Sequence, residues 1–193
     1  MSFMEININV FRMINNLGKQ YDFLNPPIMV IAEYTLYVLI LALLLYLFIG
    51  GRKNKVMVIC SIFTLLLAEG LGKLAGMLHS NNQPFAELSN VNKLIEKAVD
   101  NSFPSDHTMI FFSLCVTFWL FRRGWSFLWI LLAVLVGFSR IWVGVHYPGD
   151  VLVAAILSII SALVVHRFVP GLKFMQNIAG EQNIPNRTKY EEL

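Results

Sequence analysis

Five long stretches of the chain are almost free of charged side chains, and they limit its possible folds more than any other feature. They cover residues 28–49, 56–78, 108–121, 125–145 and 151–169. A helix needs about 20 mostly apolar residues to cross the hydrocarbon core of a bilayer. The apolar runs are continuous rather than alternating, which does not fit the strands of a membrane barrel. We therefore predict an all-α polytopic membrane bundle with five transmembrane helices.

The composition excludes several other classes of protein. Of 193 residues, 56% are hydrophobic and only 14% are charged, whereas soluble chains carry about 25% charged residues. The net charge of +3 and the lack of a long basic run exclude nucleic acid as a partner. Cys60 and Cys115 both lie in apolar stretches, so we interpret them as small hydrophobic residues.

Three regions are predicted along the chain. Residues 1–27 place apolar side chains at helical spacing between polar ones, which indicates an interfacial helix; the sequence leaves open whether it inserts into the membrane. Residues 28–170 form the transmembrane domain, and residues 171–193 form a polar cytoplasmic tail. In the long connection after the second span, the segment VNKLIEKAV at 91–99 predicts a short amphipathic helix on the membrane surface.

The positions of lysine and arginine predict the orientation, because basic residues collect on the cytoplasmic side of a membrane protein. Nine of the 15 basic residues fall in the connections after the first and third spans, at the end of the fifth span and in the tail: Arg52, Lys53, Lys55, Arg122, Arg123, Arg167, Lys173, Arg187 and Lys189. That side is predicted to be cytoplasmic. The connections at 80–106 and around His146 then face outward.

Ionisable residues inside spans are costly and are functional candidates for that reason. They are Glu33, Glu69, Lys73 and Arg140. Glu69 and Lys73 are four residues apart, so they share a helix face. A purely structural alternative is that this pair, with Gly72 and Gly76 at GxxxG spacing, packs one helix against another.

Two polar strings border the spans on the outward side: SFPSDH at 102–107 and SRIWVGVHYPGD at 139–150. Either string alone has a structural interpretation, because Pro and Ser open helices and Asp150 is a plausible N-cap for the fifth span. Together, however, they bring two histidines, an arginine and an aspartate to one leaflet. The topology also brings Lys73 to that leaflet.

This combination of residue types suits phosphoryl transfer, which requires positioning and neutralisation of phosphoryl charge. Lys73 and Arg140 can bind an anion, and the helix start at 105–107 offers free backbone N–H groups. One histidine can attack while the other supplies a proton. Asp150 can hold a histidine in the required tautomer.

These motifs resemble those of the type 2 phosphatidic acid phosphatase superfamily, which also includes the vanadium haloperoxidases. The string at 139–150 matches the family's signature Ser-Arg-x5-His-x3-Asp without a mismatch. PSDH at 104–107 is similar to its Pro-Ser-Gly-His signature, and Lys73 followed by Gln83-Pro84 is similar to its Lys…Arg-Pro signature.

The resemblance implies a role for each matching residue. His146 would attack phosphorus and form a phosphohistidine, and Asp150 would orient it. His107 would protonate the leaving oxygen and then activate water. Lys73, Arg140 and the backbone around Ser105 would hold the phosphate. The resemblance also implies that no metal ion or other cofactor is used.

Two departures bear on this transfer of roles. Gln83 stands where the family has arginine, at a longer spacing from Lys73, and a neutral amide can bind phosphate but carries no charge. Asp106 replaces glycine, so a carboxylate lies near an anionic substrate while its backbone N–H remains available.

The segments SFPSDHT and GFSRIWVGVHYPGD resemble the corresponding segments of bacterial family members that hydrolyse undecaprenyl pyrophosphate in the plasma membrane. This implies a polyprenyl pyrophosphate substrate, a role in recycling the carrier lipid of peptidoglycan synthesis, and bacitracin resistance. Three alternatives remain. They are hydrolysis of another lipid phosphate (phosphatidylglycerophosphate, phosphatidate or diacylglycerol pyrophosphate), anion transport, and a metal hydrolase with His107, His146 and Asp150 as ligands. The sequence leaves the oligomeric state open.

Overall fold

The computed structural model describes residues 2–180, which form an all-α bundle without strands in that range. The α-helices in this range are α1 (Phe3–Gln20), α2 (Asn25–Phe48), α3 (Arg52–Leu78), α4 (Pro84–Glu87), α5 (Asp106–Arg122), α6 (Phe127–Trp142), α7 (Pro148–Phe168) and α8 (Lys173–Ala179). Short 3₁₀ turns precede α2 and α6 and follow α7. The predicted fold class, an all-α membrane bundle, is confirmed.

The number of spans differs from the prediction. Within residues 2–180, four segments are long and apolar enough to cross a membrane: Asp22–Phe48, Arg52–Leu78, Gly124–Trp142 and Pro148–Gly171. The remaining predicted span, the third one at 108–121, corresponds to α5, which has only 17 residues and falls short of that length. It nevertheless runs the length of the bundle. At one end Ser105 N–H donates to Asp150 O, and at the other Arg122 Nη1 donates to Asn54 Oδ1 at 2.8 Å.

Helix α5 is apolar because it lies at the centre of the bundle, where other helices cover it. Phe111, Cys115 and Phe118 are fully buried within the largest core cluster. Polar contacts join this helix to its neighbours, since Thr117 Oγ1 donates to Thr64 Oγ1 on α3 at 3.1 Å. Such hydrogen bonds and close packing associate helices in a bilayer, where the hydrophobic effect between them is weak.

Glycine allows the close approach of α3 and α5 near the outward end. A Cβ atom added to Gly72 would lie 2.6 Å from Cε of Met109. Gly72 therefore serves as a packing residue, as the structural interpretation of the GxxxG pattern predicted. The partners are α3 and α5.

The N-terminal helix α1 begins with a capping box, in which Ser2 Oγ accepts the N–H of Glu5 and the Glu5 carboxylate accepts that of Ser2. It packs against the end of α6. Asn15 Nδ2 donates to Trp142 O at 2.8 Å and to Asn92 O at 3.0 Å. Helix α1 thus braces the connection between α6 and α7.

The prediction of a helix at 91–99 is wrong. Residues 88–105, called the strap below, contain no helix. Backbone N–H groups of this segment bond to distant partners: Asn92 N donates to Asn15 Oδ1 at 2.8 Å, and Leu94 N to Val143 O at 3.2 Å. Ile95 is buried against the α6–α7 connection. Tertiary contacts therefore outweigh the helical periodicity here.

The first part of the predicted tail at 171–193 forms a helix that packs against the bundle. Helix α8 lies against α3, and its Met175 is buried with Val56, Cys60 and Val165. Residues 181–193 of that predicted region lie outside the described residues. Cys60 and Cys115 are free, buried thiols.

Candidate active site

The candidate site forms where the strap meets the start of α5, the end of α6 and the start of α7. His146 lies in the five-residue connection 143–147, called the His146 loop, and Asp150 lies in the first turn of α7. The two side chains are 4% and 2% exposed, respectively. The structure thus brings His146 and Asp150, which the topology placed at one leaflet, together in a buried setting.

Asp150 is held by hydrogen bonds to one of its oxygens. Oδ2 accepts the Tyr147 N–H at 2.9 Å and the Ser102 hydroxyl at 2.6 Å. Tyr147, rather than Asp150, is the N-cap residue of α7, so the predicted N-cap is three residues off. The helix start fixes the carboxylate beside the imidazole of His146, whose Nδ1 is 3.6 Å from Oδ2.

Arg140 is the buried cation of the site. It is only 3% exposed, and Nη1 donates to Ala32 O on α2 at 3.1 Å. Nε has no partner, and no carboxylate lies within 4.0 Å of this guanidinium in the part of the chain described. A buried charge without a counter-ion is costly. This guanidinium is therefore suited to receive an anion.

At the start of α5, where the sequence predicted an anion site, some hydrogen-bond donors are already bonded and others are open. Ser105 is buried, and its N–H already donates to Asp150 O at 3.3 Å. Its hydroxyl accepts from Thr108 Oγ1 at 3.0 Å, and no side chain caps α5. The open backbone donors are thus those of the first turn of the helix, from Asp106 onward. His107 is half-buried in this turn.

Burial sets the protonation of the loop histidine. The pKa of His146 is lowered, mainly because the surrounding protein excludes water from the imidazolium. The positive charges of Arg140 and Lys97 lower it further, whereas Asp150 acts in the opposite direction. The neutral, nucleophilic form of the ring is therefore favoured.

Lys73 and Asp106 line an open cavity of about 460 Å³ between α3 and α5, called the α3–α5 cavity below. Both side chains are exposed, in contrast to Arg140. Glu69 lines the same cavity but makes no ion pair with Lys73 within 4.0 Å. The pairing that the sequence allowed is thus absent from the described residues, and the Lys73 ammonium faces the cavity without a carboxylate in contact.

Gln83 is fully buried, and both ends of its amide bind one residue of the strap. Nε2 donates to the Asp100 carboxylate, and Oε1 accepts the Asp100 N–H at 3.1 Å. Asp100 also contacts Lys97, with Nζ 3.3 Å from Oδ2. The structure therefore places Gln83 in the support of the strap.

Sequence reasoning missed the role of Ser102, although it lies in one of the polar strings. Its hydroxyl lies 3.1 Å from His146 Nδ1, and its carbonyl oxygen lies 3.0 Å from the same atom. These partners are 44 residues apart in the chain. No periodicity or spacing in the sequence could have identified this contact.

The chain is similar to known proteins over most of its length. Residues 57–174 match the PAP2 superfamily. The chain is 52% identical over 178 residues to the bacitracin transport permease protein BcrC of Bacillus licheniformis, covering 92% of this chain and 88% of the relative. It is 32% identical to the undecaprenyl-diphosphatase BcrC of Bacillus subtilis, covering 84% of each.

A solved structure is also similar. The crystal structure of Aquifex aeolicus LpxE matches with a TM-score of 0.66 and 28% identity, covering 84% of this chain and 96% of LpxE. The chain belongs to the PAP2 superfamily and is a multi-pass membrane protein. It is a phosphatase of that superfamily.

Proposed function

We propose that this protein hydrolyses undecaprenyl pyrophosphate to undecaprenyl phosphate and inorganic phosphate. The carrier lipid would thereby return to peptidoglycan synthesis, and its recycling would confer resistance to bacitracin. The name of the Bacillus subtilis relative, an undecaprenyl-diphosphatase, supports this substrate. The observation that carries the proposal is the buried Arg140 without a counter-ion beside a histidine that burial keeps neutral.

In the proposed first step, Nε2 of His146 attacks the terminal phosphorus. The N–P bond forms as the bond from phosphorus to the bridging oxygen breaks, and the lipid monophosphate leaves. His107, half-buried in the first turn of α5, donates to the leaving oxygen the proton that it takes from water in the second step of each turnover. Asp150 stabilises the positive charge that develops on the ring of His146, as the acid of a catalytic triad does.

In the second step, water replaces the lipid. His107 accepts a proton from the water molecule, whose oxygen attacks phosphorus as the N–P bond breaks. Inorganic phosphate forms and His146 returns to its neutral state. The step needs no oxidant, reductant or metal ion.

The phosphoryl oxygens would be held by three sets of donors. Arg140 supplies the buried charge, the first turn of α5 supplies backbone N–H groups with Ser105 and Asp106 at its start, and Lys73 supplies a charge from the α3–α5 cavity. Preorganised donors of this kind stabilise transition-state charge. We assign Gln83 to the support of the strap through Asp100 rather than to direct phosphate contact.

We further propose that the site faces the extracytoplasmic side and that the C-terminus is cytoplasmic. The basic connection at the start of α3 and the end of α5 meet at the end of the bundle away from His146, where Arg122 bonds Asn54. Basic residues favour the cytoplasmic side. The headgroup would then bind at the outer interface while the polyprenyl tail stays in the bilayer.

The decisive experiment measures phosphate release from undecaprenyl pyrophosphate by the full chain in proteoliposomes containing EDTA. We expect wild type to be active and His146→Ala to lose at least about 10⁴-fold in kcat. His166→Ala is the matched control, because that imidazole is half-buried against Phe121 near the opposite end of α7. Loss of activity in EDTA would instead support the metal hydrolase.

The same assay separates the alternative lipid substrates, and bacitracin resistance of cells that express each variant tests for transport. A panel containing phosphatidylglycerophosphate, phosphatidate and diacylglycerol pyrophosphate tests for another lipid substrate, and a higher kcat/KM for any of these would overturn the proposed one. The Bacillus licheniformis relative is named a bacitracin transport permease, which favours transport as a second candidate function. Under that hypothesis, His146→Ala would confer the same bacitracin resistance as wild type.

A further inference from the structure

Ser102 lies between the proposed nucleophile and its carboxylate partner. Its hydroxyl donates to Asp150 Oδ2 at 2.6 Å, and its carbonyl oxygen lies 3.0 Å from His146 Nδ1. We propose that Ser102 is a positioning residue, which fixes the tautomer of His146 through its carbonyl and couples Asp150 to the ring through its hydroxyl. This inference rests on the proposed function, in which His146 attacks phosphorus.

The tautomer follows from which atoms can donate. A carbonyl oxygen only accepts, so the contact at 3.0 Å requires the proton to be on His146 Nδ1. The Ser102 hydroxyl gives its proton to Asp150, and therefore presents a lone pair to the same ring nitrogen at 3.1 Å. Both contacts require an Nδ1–H group. Nε2 is then left with the lone pair that the attack needs.

Asp150 does not make this contact itself. Its Oδ2 is 3.6 Å from His146 Nδ1, beyond the range of a normal hydrogen bond. The carboxylate is instead occupied by the Ser102 hydroxyl and the Tyr147 N–H. The geometry is therefore a relay from carboxylate to hydroxyl to imidazole, with the serine carbonyl as a second acceptor.

Ser102 is well placed for this task because its own position is fixed. It is fully buried, and its N–H donates to Asn81 O at 2.8 Å. Two residues earlier in the strap, Asp100 is bound by both ends of the Gln83 amide. The hydrogen bonds of Ser102 and Asp100 hold the strap against the His146 loop. The buried network around Gln83 therefore supports the position of Ser102.

The hydroxyl also separates the carboxylate from the ring. The charged or titratable groups that face His146 are Asp150 from α7, Arg140 from α6, His107 from α5 and Lys97 from the strap. Without the Ser102 hydroxyl, Asp150 would lose a donor and interact with the imidazolium directly. The protonated ring would be stabilised, which raises the pKa of His146. As the pH falls, the neutral, nucleophilic form would then be lost at a higher pH than in wild type.

The test compares Ser102→Ala with Ser102→Thr in the phosphate-release assay on undecaprenyl pyrophosphate. We expect Ser102→Ala to lower kcat by about 10- to 100-fold, because a small misorientation of a reacting group costs that much. KM should change little, since Ser102 does not line the α3–α5 cavity. The acid limb of kcat/KM should move to higher pH. Ser102→Thr keeps the hydroxyl, so its kcat and the acid limb of its kcat/KM profile should match those of wild type.

Ser161→Ala is the matched control, because that buried hydroxyl on α7 has no hydrogen-bond partner. It should leave kcat and the pH profile unchanged. If Ser102→Ala does not fold, Ser102→Cys replaces it, because a thiol of similar size is a weak donor and should show the same shift.

Three results separate the possible failures. A wild type without hydrolysis would refute the proposed function itself. An active wild type with Ser102→Ala within twofold of its kcat would refute only the role of Ser102. Equal losses in the Ala and Thr variants with an unmoved acid limb would show that the residue merely supports the fold.

Discussion

The two halves of the site differ in how tightly the protein holds them. Arg140, His146 and Asp150 are each at most 4% exposed and have partners from several elements. Lys73 and Asp106, by contrast, project as exposed side chains into an open cavity. The buried half suits bond making and breaking, because fixed dipoles and charges act strongly where water is excluded. The open half suits capture of a charged headgroup at the membrane interface.

The largest expected effect within this comparison comes from the buried carboxylate. Asp150→Asn should lower kcat by roughly 10³- to 10⁴-fold, as loss of the corresponding charge does in catalytic triads. The variant removes the charge that stabilises the imidazolium of His146. The measurement is phosphate release at saturating substrate, with Asp22→Asn, in the exposed turn before α2, as the control. A kcat within tenfold of wild type would contradict the proposed role of Asp150.

A smaller effect, mainly on KM, is expected in the open half. Lys73→Gln should raise KM by about 3- to 10-fold with little change in kcat, because exposed ion pairs contribute about 1 kcal/mol or less. The difference between wild type and variant should shrink as salt is added. Lys53→Gln, at the opposite end of the same helix and also exposed, is the matched control. A fall in kcat without a change in KM would place Lys73 in the chemical step instead.

The smallest expected effect is on pH dependence. Because burial lowers the pKa of His146, the neutral ring persists as the pH falls, and the acid limb of kcat/KM should lie below about pH 6.5. Asp150 acts to raise that pKa, so the residual activity of Asp150→Asn should show its acid limb at still lower pH. An acid limb above the ordinary histidine range in wild type would argue against a buried neutral nucleophile.

The sequence predicted most of the helices because their signals are local. Length and hydropathy placed α2, α3, α6 and α7 to within a few residues, and Pro148 marks the start of α7. The topology predicted that His146 and Asp150 would lie at one leaflet, where Asp150 could orient a histidine. The prediction of a helix at 91–99 was wrong because tertiary contacts outweigh the periodicity of this segment. Asn15 Oδ1 and Val143 O accept hydrogen bonds from its backbone N–H groups.

The sequence by itself therefore determined the class of protein, the apolar helices and the residue types that gather at one end of the bundle. Only the tertiary structure decided which of those residues touch. It buried Arg140 without a carboxylate, engaged Gln83 with Asp100 and inserted Ser102 between His146 and Asp150. The physical reason is that hydrophobic length is a property of a segment, whereas a hydrogen-bond partner 44 or 48 residues away depends on how every intervening helix packs.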